Sequence, residues 1–235
     1  MNKIVFILSA FFLSGGNLIS EEIAIVARGA DGVTETLSLV DVYAEEVKIQ
    51  ITGAPFSLDN PIVDIEGLEK LELLRSVKIV VSPQISDFSF LSRCSSLEKV
   101  LITLSRVSAI SFIHEMPELR VLELERSDDW ESDLGLPFIN DEIDLSRNKK
   151  LEYIAFKYCE LQDFPHFANV PAALKYLDLT GNDIAIGKND LHKLEALKRV
   201  PYIFIEGQKI ETSAAQRYPN LTPENPETII PDYWQ

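Results

Sequence analysis

Apolar residues in the middle of the chain recur with one fixed spacing. Segments start at Leu97, Leu119, Leu151 and Leu174, and each continues with apolar residues three and five positions later. The intervals are 22, 32 and 23 residues, so the 32-residue interval holds about ten extra residues. Apolar residues two positions apart predict a short β-strand in each segment, because side chains along a strand alternate between two faces. A period of this length indicates a repeat architecture.

Two segments match a longer pattern, L-x-x-L-x-L-x-x-N/C-x-L. The residues that follow Leu151 and Leu174 in this pattern are Ile154, Phe156, Cys159 and Leu161 in the first, and Leu177, Leu179, Asn182 and Ile184 in the second. Looser copies start at Leu74 and Val200, and residues 47–51 form an earlier candidate strand. The pattern therefore predicts about seven strands, of which the terminal ones are degenerate.

This pattern resembles the leucine-rich repeat family, most closely its 22-residue class and the exported bacterial members, internalins among them. The resemblance covers about residues 44–210, and it departs from the family where Ser82, Ser105 and Ser127 replace the usual asparagine. It implies an α/β repeat solenoid, a curved array with a parallel β-sheet on the concave face and 3₁₀ or irregular segments on the convex side. The residues lead to the same expectation, because each unit buries its apolar positions only against neighbouring units.

The first twenty residues have the features of an export signal. Lys3 precedes an apolar run of ten residues, Ile4–Leu13. A membrane-spanning helix needs about 20 apolar residues, so this run fits the core of a secretory signal better than an anchor. We predict a signal peptide at 1–20 with cleavage after Gly16 or Ser20, no membrane span in the mature chain, and a periplasmic or secreted, extracellular location.

The two ends of the repeat array require covers. Residues 21–43 contain two β-like runs around Asp31-Gly32, a favoured turn pair, which predicts an N-terminal capping hairpin. The solenoid is expected over 44–210. Residues 211–235 are expected to form a C-terminal cap with a short helix, followed by a proline-rich tail that runs extended along the surface or is loosely ordered.

Composition narrows the possible partners. The chain of 235 residues is 46% hydrophobic and 25% charged, and its formal net charge is −15. This charge repels phosphate backbones and anionic lipids, so we expect neither nucleic acid nor a membrane surface as partner. We expect a monomer.

Catalysis and metal binding have no support in the sequence. His114, His166 and His192 lack the spacing of a zinc site, and no nucleophile, phosphate-loop or dinucleotide motif occurs. The acidic stretch 128–144 imitates a calcium loop at Asp129, Glu131 and Asp133, but Leu134 and Asn140 stand where that loop requires glycine and glutamate. We therefore predict a non-enzyme without cofactors.

The two cysteines, Cys94 and Cys159, are predicted to stay unpaired. Their units are three steps apart in the repeat alignment, which separates them by about 14 Å along the array. A disulfide tolerates a Cα–Cα distance of at most about 7 Å.

The strand positions that alternate with the core positions form the candidate binding surface. Tyr153, Tyr176 and Tyr202 fall on the same position of three successive units. Beside them we place Phe204, Asp178 and Lys157. Tyrosine is favoured in interfaces, although aromatic residues also suit strands in general.

These six residues define the predicted function. The sequence predicts an exported protein-binding module that uses an exposed aromatic ladder on the concave face and binds an unidentified protein. The alternative is a carbohydrate-binding surface protein that uses the same tyrosines to bind a glycan.

Overall fold

The computed structural model describes most of the chain outside the N-terminal segment. It covers residues 21–51, 56–57, 59–81, 85, 87–103, 110–126, 142–206, 208–222, 226, 229–231 and 233. The predicted signal peptide at 1–20 lies outside the described residues. So do Ser82, Ser105, Ser127 and the calcium-loop-like positions from Asp129 to Asn140.

The described residues contain fifteen β-strands and two short α-helices. In chain order the strands are β1 (Glu22–Gly29), β2 (Thr34–Asp41), β3 (Glu46–Ile51), β4 (Ile62–Glu66), β5 (Ser76–Val81), β6 (Lys99–Thr103), β7 (Val121–Glu125), β8 (Ile143–Asp144), β9 (Tyr153–Lys157), β10 (Phe167–Ala168), β11 (Tyr176–Asp178), β12 (Ala185–Ile186), β13 (Tyr202–Phe204), β14 (Lys209–Ile210) and β15 (Leu221–Thr222). The helices are α1 (Leu191–Ala196) and α2 (Thr212–Arg217).

Eight of these strands form one parallel sheet, in the order β3, β5, β6, β7, β9, β11, β13 and β15. Equivalent repeat positions lie side by side in it: Val77 pairs with Val100, and Leu177 pairs with Ile154 on one side and Ile203 on the other. The predicted α/β repeat solenoid with a parallel sheet is therefore confirmed. The sheet has one strand more than the sequence pattern indicated, because β15 follows residue 210.

The core lies on one face of this sheet. The residues that start the repeat units are all buried there: Leu74, Leu97, Leu119, Leu151, Leu174 and Val200. The inward side chains of the strands join them in one hydrophobic cluster. In β3 burial alternates strictly with exposure, as expected for a strand with one face on the core and one in solvent.

Asn182 connects neighbouring units through its buried amide. Its Nδ2 donates to the carbonyl oxygens of Phe156 and Leu179, both at 2.6 Å, and its Oδ1 accepts from the Leu161 N–H at 3.0 Å. The thiol of Cys159 lies 3.5 Å from the Leu124 carbonyl oxygen one unit earlier, and burial raises its pKa to about 12. Both side chains therefore contact backbone carbonyl groups of the preceding unit.

The side opposite the parallel sheet consists of short segments. Its 3₁₀ helices are Leu68–Lys70, Ser89–Arg93, Ser111–Glu115 and Lys188–Asp190. Two further parallel pairs of two-residue strands, β8 with β10 and β12 with β14, lie outside the eight-stranded sheet. Units of 22 or 23 residues leave room for only such short connections, so the strand side and the opposite side differ in secondary structure.

An antiparallel sheet closes the N-terminal end. Strands β1 and β2 form a hairpin whose turn contains Gly32 at φ 83°, and β4 pairs with the free edge of β1. The inward residues Ile25 and Ile65 belong to the same core as Val47 of the first parallel strand. The sequence did not indicate the third strand of this sheet, because residues 62–66 fall within the range of the expected solenoid.

The C-terminal end carries a further unit. Helix α2 is followed by β15, which pairs with β13, and Tyr218 and Leu221 are buried in the common core. Asn220 donates to the carbonyl oxygens of Leu197 at 3.2 Å and Val200 at 2.8 Å. The sheet therefore continues past the expected boundary at residue 210.

Truncation of a strand residue tests the register. Leu177 and Phe156 are fully buried, so Leu177→Ala or Phe156→Ala should lower the free energy of unfolding by about 2–5 kcal/mol through lost burial and a residual cavity. The control Leu39→Ala removes a leucine that is 51% exposed in β2, and we expect about 0.5 kcal/mol or less. Urea denaturation measures both, and equal losses would contradict the register.

Candidate binding surface on the concave face

The concave face is the side of the parallel sheet that points away from the core. Strands β9, β11 and β13 bring three predicted site residues into one row on it, since Tyr176 pairs with Tyr153 on one side and Tyr202 on the other. The ring centroids of Tyr176 and Tyr202 are 5.6 Å apart with an angle of 12° between the ring planes. Phe204 continues this arrangement at 6.1 Å from Tyr202. We call these four residues the aromatic row.

The expectation of an exposed aromatic ladder is wrong for part of this row. Tyr202 is 39% exposed and Tyr176 is half-buried, but Tyr153 is only 4% exposed and Phe204 is fully buried. Phe204 lies inside the sheet because the additional strand β15 pairs beyond it. Asp178, also expected on the open surface, is 1% exposed and within hydrogen-bond distance of the Tyr153 hydroxyl.

Tyr153 is buried because the C-terminal part of the chain returns over the concave face. The ring of Tyr233 stacks on that of Tyr153, with centroids 5.4 Å apart and an angle of 12° between the planes. Ile230 packs with it against Val121, Tyr153 and Ala155. The described residues 229–231 and 233 are called the tail segment below. They explain why β7 and β9 are buried on both faces.

A hydrogen bond fixes the tail segment to a third strand. Lys99 Nζ in β6 donates to the carbonyl oxygen of Tyr233 at 2.5 Å. Earlier in the sequence than Tyr233, the N–H groups of Ile229 and Ile230 donate to the Pro226 carbonyl oxygen at 3.0 and 2.8 Å, forming a turn. The tail segment therefore contacts the concave face from β6 to β9.

Charged side chains form a cluster next to the aromatic row. Lys157 makes an ion pair with Glu123, and its Nζ lies 3.9 Å from a carboxylate oxygen of Glu125. Asp178 accepts a hydrogen bond from the Thr180 N–H at 3.0 Å, and a longer one, 3.4 Å, from the Tyr153 hydroxyl. We call Lys157, Glu123, Glu125 and Asp178 the charged cluster, in which three carboxyl groups share one lysine.

Burial sets the protonation behaviour of this cluster. Desolvation raises the pKa of Asp178 and of Glu125, because the ionised carboxylates lose water. Burial also disfavours the charge of Lys157, but the combined attraction of Glu123, Glu125 and Asp178 raises its pKa. Burial likewise raises the pKa of Tyr153, so its hydroxyl keeps its proton as a hydrogen-bond donor.

Sequence reasoning placed Tyr153, Tyr176, Tyr202, Phe204, Asp178 and Lys157 together, and the structure brings them onto one face. It missed Glu123 and Lys99 as partners of this surface, although both occupy outward strand positions that the repeat alignment identifies. It also missed Tyr233, which lies outside the repeats and has no periodic signal. Within the described residues, no group of three or more His, Cys, Asp or Glu side chains is placed to hold a metal ion.

Comparisons with known proteins find similarity only among solved structures. No family model matches the sequence, and neither does any curated protein. The chain is similar to an internalin C2 from Listeria monocytogenes, at 18% identity and a TM-score of 0.42, over 68% of this chain and 65% of that one. The chain therefore spans less than two thirds of that internalin.

Two other solved structures match at similarly low sequence identity. A second Listeria monocytogenes internalin matches at 16% identity and a TM-score of 0.31, over 78% of this chain and 68% of that one. A leucine-rich repeat protein from Leptospira interrogans matches at 16% identity and a TM-score of 0.36, over 66% of this chain and 38% of that one.

The fold class follows from the chain's own geometry. The chain has a leucine-rich repeat fold: its strands pair in parallel register at each repeat, buried leucines start the units, and the amide of Asn182 connects neighbouring units. In the part of the chain that the structure describes, no helix has the length and hydrophobicity needed to cross a membrane.

The ion pair in the charged cluster predicts a large effect of Lys157→Met. Its removal takes the positive charge of Lys157 away from the buried carboxylate of Glu123, so the free energy of unfolding at neutral pH should fall by roughly 3–5 kcal/mol. The control Lys48→Met changes an exposed lysine on β3 of the same face. Denaturant unfolding compares the two, and equal effects would contradict a buried pair.

The raised pKa of Asp178 predicts a change in pH dependence. The folded protein holds this proton more tightly than the unfolded chain, so this group's contribution to stability falls as pH rises from the ordinary value of 3.8 through the raised pKa. Asp178→Asn should remove this decrease in stability with rising pH, whereas the control Asp59→Asn, at an exposed position, should not. Unfolding curves at several pH values measure this, and parallel profiles for wild type and Asp178→Asn would refute it.

Proposed function

We propose that this chain is an exported binding module that recognises another protein through its concave face, without catalysis. The observation that carries the proposal is the stacked pair of the half-buried Tyr176 and the exposed Tyr202 beside the charged cluster. Tyrosine rings offer a large contact area, a polar tip and little side-chain entropy to lose on binding. The regular strand spacing fixes these rings before a partner arrives, which lowers the entropic cost of association.

The shape of the surface also supports a protein partner. A repeat solenoid presents one continuous face built from equivalent positions of successive units, and such extended faces suit macromolecular ligands. On this face, apolar rings and a compact set of opposite charges lie within neighbouring strands β7 to β13. Interfaces between proteins combine aromatic anchors with polar groups in this manner.

A glycan partner, the alternative indicated by the sequence, is less well supported. Sugars need accessible ring faces, but the ring of Tyr202 is stacked with Tyr176 and that of Tyr153 with Tyr233. A glycan array with the purified protein tests this alternative, and specific binding that Tyr202→Ala abolishes would favour it over the protein-binding proposal.

Export is the second element of the proposal. Its support is the sequence of residues 1–20, with Lys3 followed by the apolar run Ile4–Leu13. The periplasm and the outside of the cell are the proposed locations. Cell fractionation with mass spectrometry of the N-terminus would support export by finding processing after Gly16 or Ser20. An unprocessed chain in the cytosol would refute it.

Binding should depend on the two accessible tyrosines. In a pull-down from an envelope extract, Tyr176→Ala or Tyr202→Ala should weaken capture of the partner, with a loss of about 2 kcal/mol in binding free energy, as for a central interface residue. The control is Tyr43→Ala, which removes an equally large side chain that is 62% exposed, lies beyond the end of β2 and belongs neither to the aromatic row nor to the charged cluster. Titration of the captured partner against each variant gives the free-energy change. Unchanged binding by Tyr176→Ala and Tyr202→Ala together would exclude the aromatic row as the binding surface.

A further inference from the structure

We propose that the tail segment is a displaceable internal occupant of the concave face, and that the partner's binding element is an extended peptide segment with an aromatic residue and basic neighbours, which replaces Tyr233 on Tyr153. This proposal deepens the proposed function and rests on it. It identifies both the chemistry of the partner and the event that opens the surface.

The tail segment shows which chemistry the covered part of the face accepts. It supplies an aromatic ring to Tyr153, a branched apolar side chain to Val121 and Ala155, and a main-chain carbonyl to Lys99. An extended peptide of a partner can supply all three, because each contact uses a side chain or backbone group that any protein segment with an aromatic residue has. The exposed ring of Tyr202 continues the row beyond the tail segment.

The contacts of the tail segment are few enough to break without unfolding the solenoid. Ile230 and Tyr233 pack against a small apolar cluster that is separate from the main core. The tail segment follows β15 and adds no strand to the parallel sheet. Its release therefore exposes Tyr153 but leaves the strand pairing and the core packing intact.

Charge favours replacement of the tail by a basic segment. The charged cluster holds three carboxyl groups for one lysine, and burial on this face raises the pKa of Asp178 and Glu125. Residues 223–235 contain three acidic residues and no lysine or arginine, so this part of the chain cannot neutralise the excess. Lys99 and Arg120 beside Tyr233 already have partners there, the Tyr233 carbonyl and Glu152. A lysine or arginine near the partner's aromatic residue would compensate the cluster.

Competition makes the proposal measurable. If the tail segment occupies the face for most of the time, the apparent affinity for any competing peptide is reduced by the fraction of molecules that are open. Loss of the Tyr233 ring raises that fraction. A substitution outside the proposed contact surface of the incoming peptide then strengthens binding, which a purely structural role of the tail would not do.

The experiment uses the full chain and three synthetic peptides of equal length. The first has the sequence of residues 226–235. The second replaces both acidic residues of the first by lysine, and the third is the second with its tyrosine and tryptophan replaced by alanine. Isothermal titration calorimetry gives the affinity of wild type, Tyr233→Ala, Tyr153→Ala and the control Tyr43→Ala for each peptide.

We expect the lysine-containing aromatic peptide to bind Tyr233→Ala about tenfold more tightly than wild type. Loss of the stacked, partly buried ring destabilises the closed state, and the fraction of open molecules should rise by about that factor. Tyr43→Ala should match wild type, and Tyr153→Ala should lose binding. The acidic peptide and the alanine peptide should bind Tyr233→Ala more weakly than the lysine-containing peptide. Added salt should reduce this preference for the lysine-containing peptide.

A second variant guards against misfolding of the first. Ile230→Ala removes the packing of this tail residue against Val121, Tyr153 and Ala155 but keeps every aromatic ring and Lys99, so it should also strengthen peptide binding, by about fivefold. Circular dichroism verifies that both variants are folded.

Three results would overturn the proposal: equal affinity of wild type and both release variants, binding of the acidic peptide as tight as that of the lysine-containing one, or full binding of the alanine peptide. Failure of the proposed function has a different signature. If Tyr176→Ala and Tyr202→Ala leave capture of the partner unchanged, that function is refuted, even when the peptide binds as expected. A partner that needs these tyrosines but binds wild type and Tyr233→Ala equally refutes only the role of the tail.

Discussion

Each repeat unit can bury its apolar side chains only against its neighbours, and the other features of this molecule depend on that constraint. The constraint forces equivalent residues into parallel register, so that Ile154 must pair with Leu177 and Leu177 with Ile203. The outward positions are then fixed as well, because strand side chains alternate. Tyr153, Tyr176 and Tyr202 form a row on the concave face as a consequence of core packing on the opposite face.

The same constraint explains which parts of the structure the sequence could predict. Leu97, Leu119, Leu151 and Leu174 repeat because they share one structural role, and a shared role leaves a periodic signal. The row of tyrosines follows by alternation from that signal. Contacts between non-equivalent segments leave no period. Nothing in the repeats indicates that Tyr233 returns to Tyr153, or that residues 62–66 join the N-terminal hairpin.

Burial of the concave face could not be predicted for a related reason. The alternation in β9 makes Tyr153 an outward residue, and outward residues of a sheet with one packed face are expected in solvent. The prediction treated the sheet as ending near residue 210. In the structure, β15 encloses Phe204 and the tail segment covers Tyr153. Asp178 and Glu123 are consequently buried carboxyl groups. The composition of the sequence counts them among the acidic residues but does not indicate that they are buried.

The short distance in sequence between β15 and Tyr233 has a further consequence. Only eleven positions separate Thr222 from Tyr233, so the ring is tethered close to its site on Tyr153. A short covalent connection gives its end an effective local concentration of about a millimolar. Few molecules in dilute solution reach that concentration, so even modest contacts by Tyr233 suffice to keep the face closed to weak, non-specific ligands. The length of this tether therefore acts as an affinity threshold for binding to the covered part of the face.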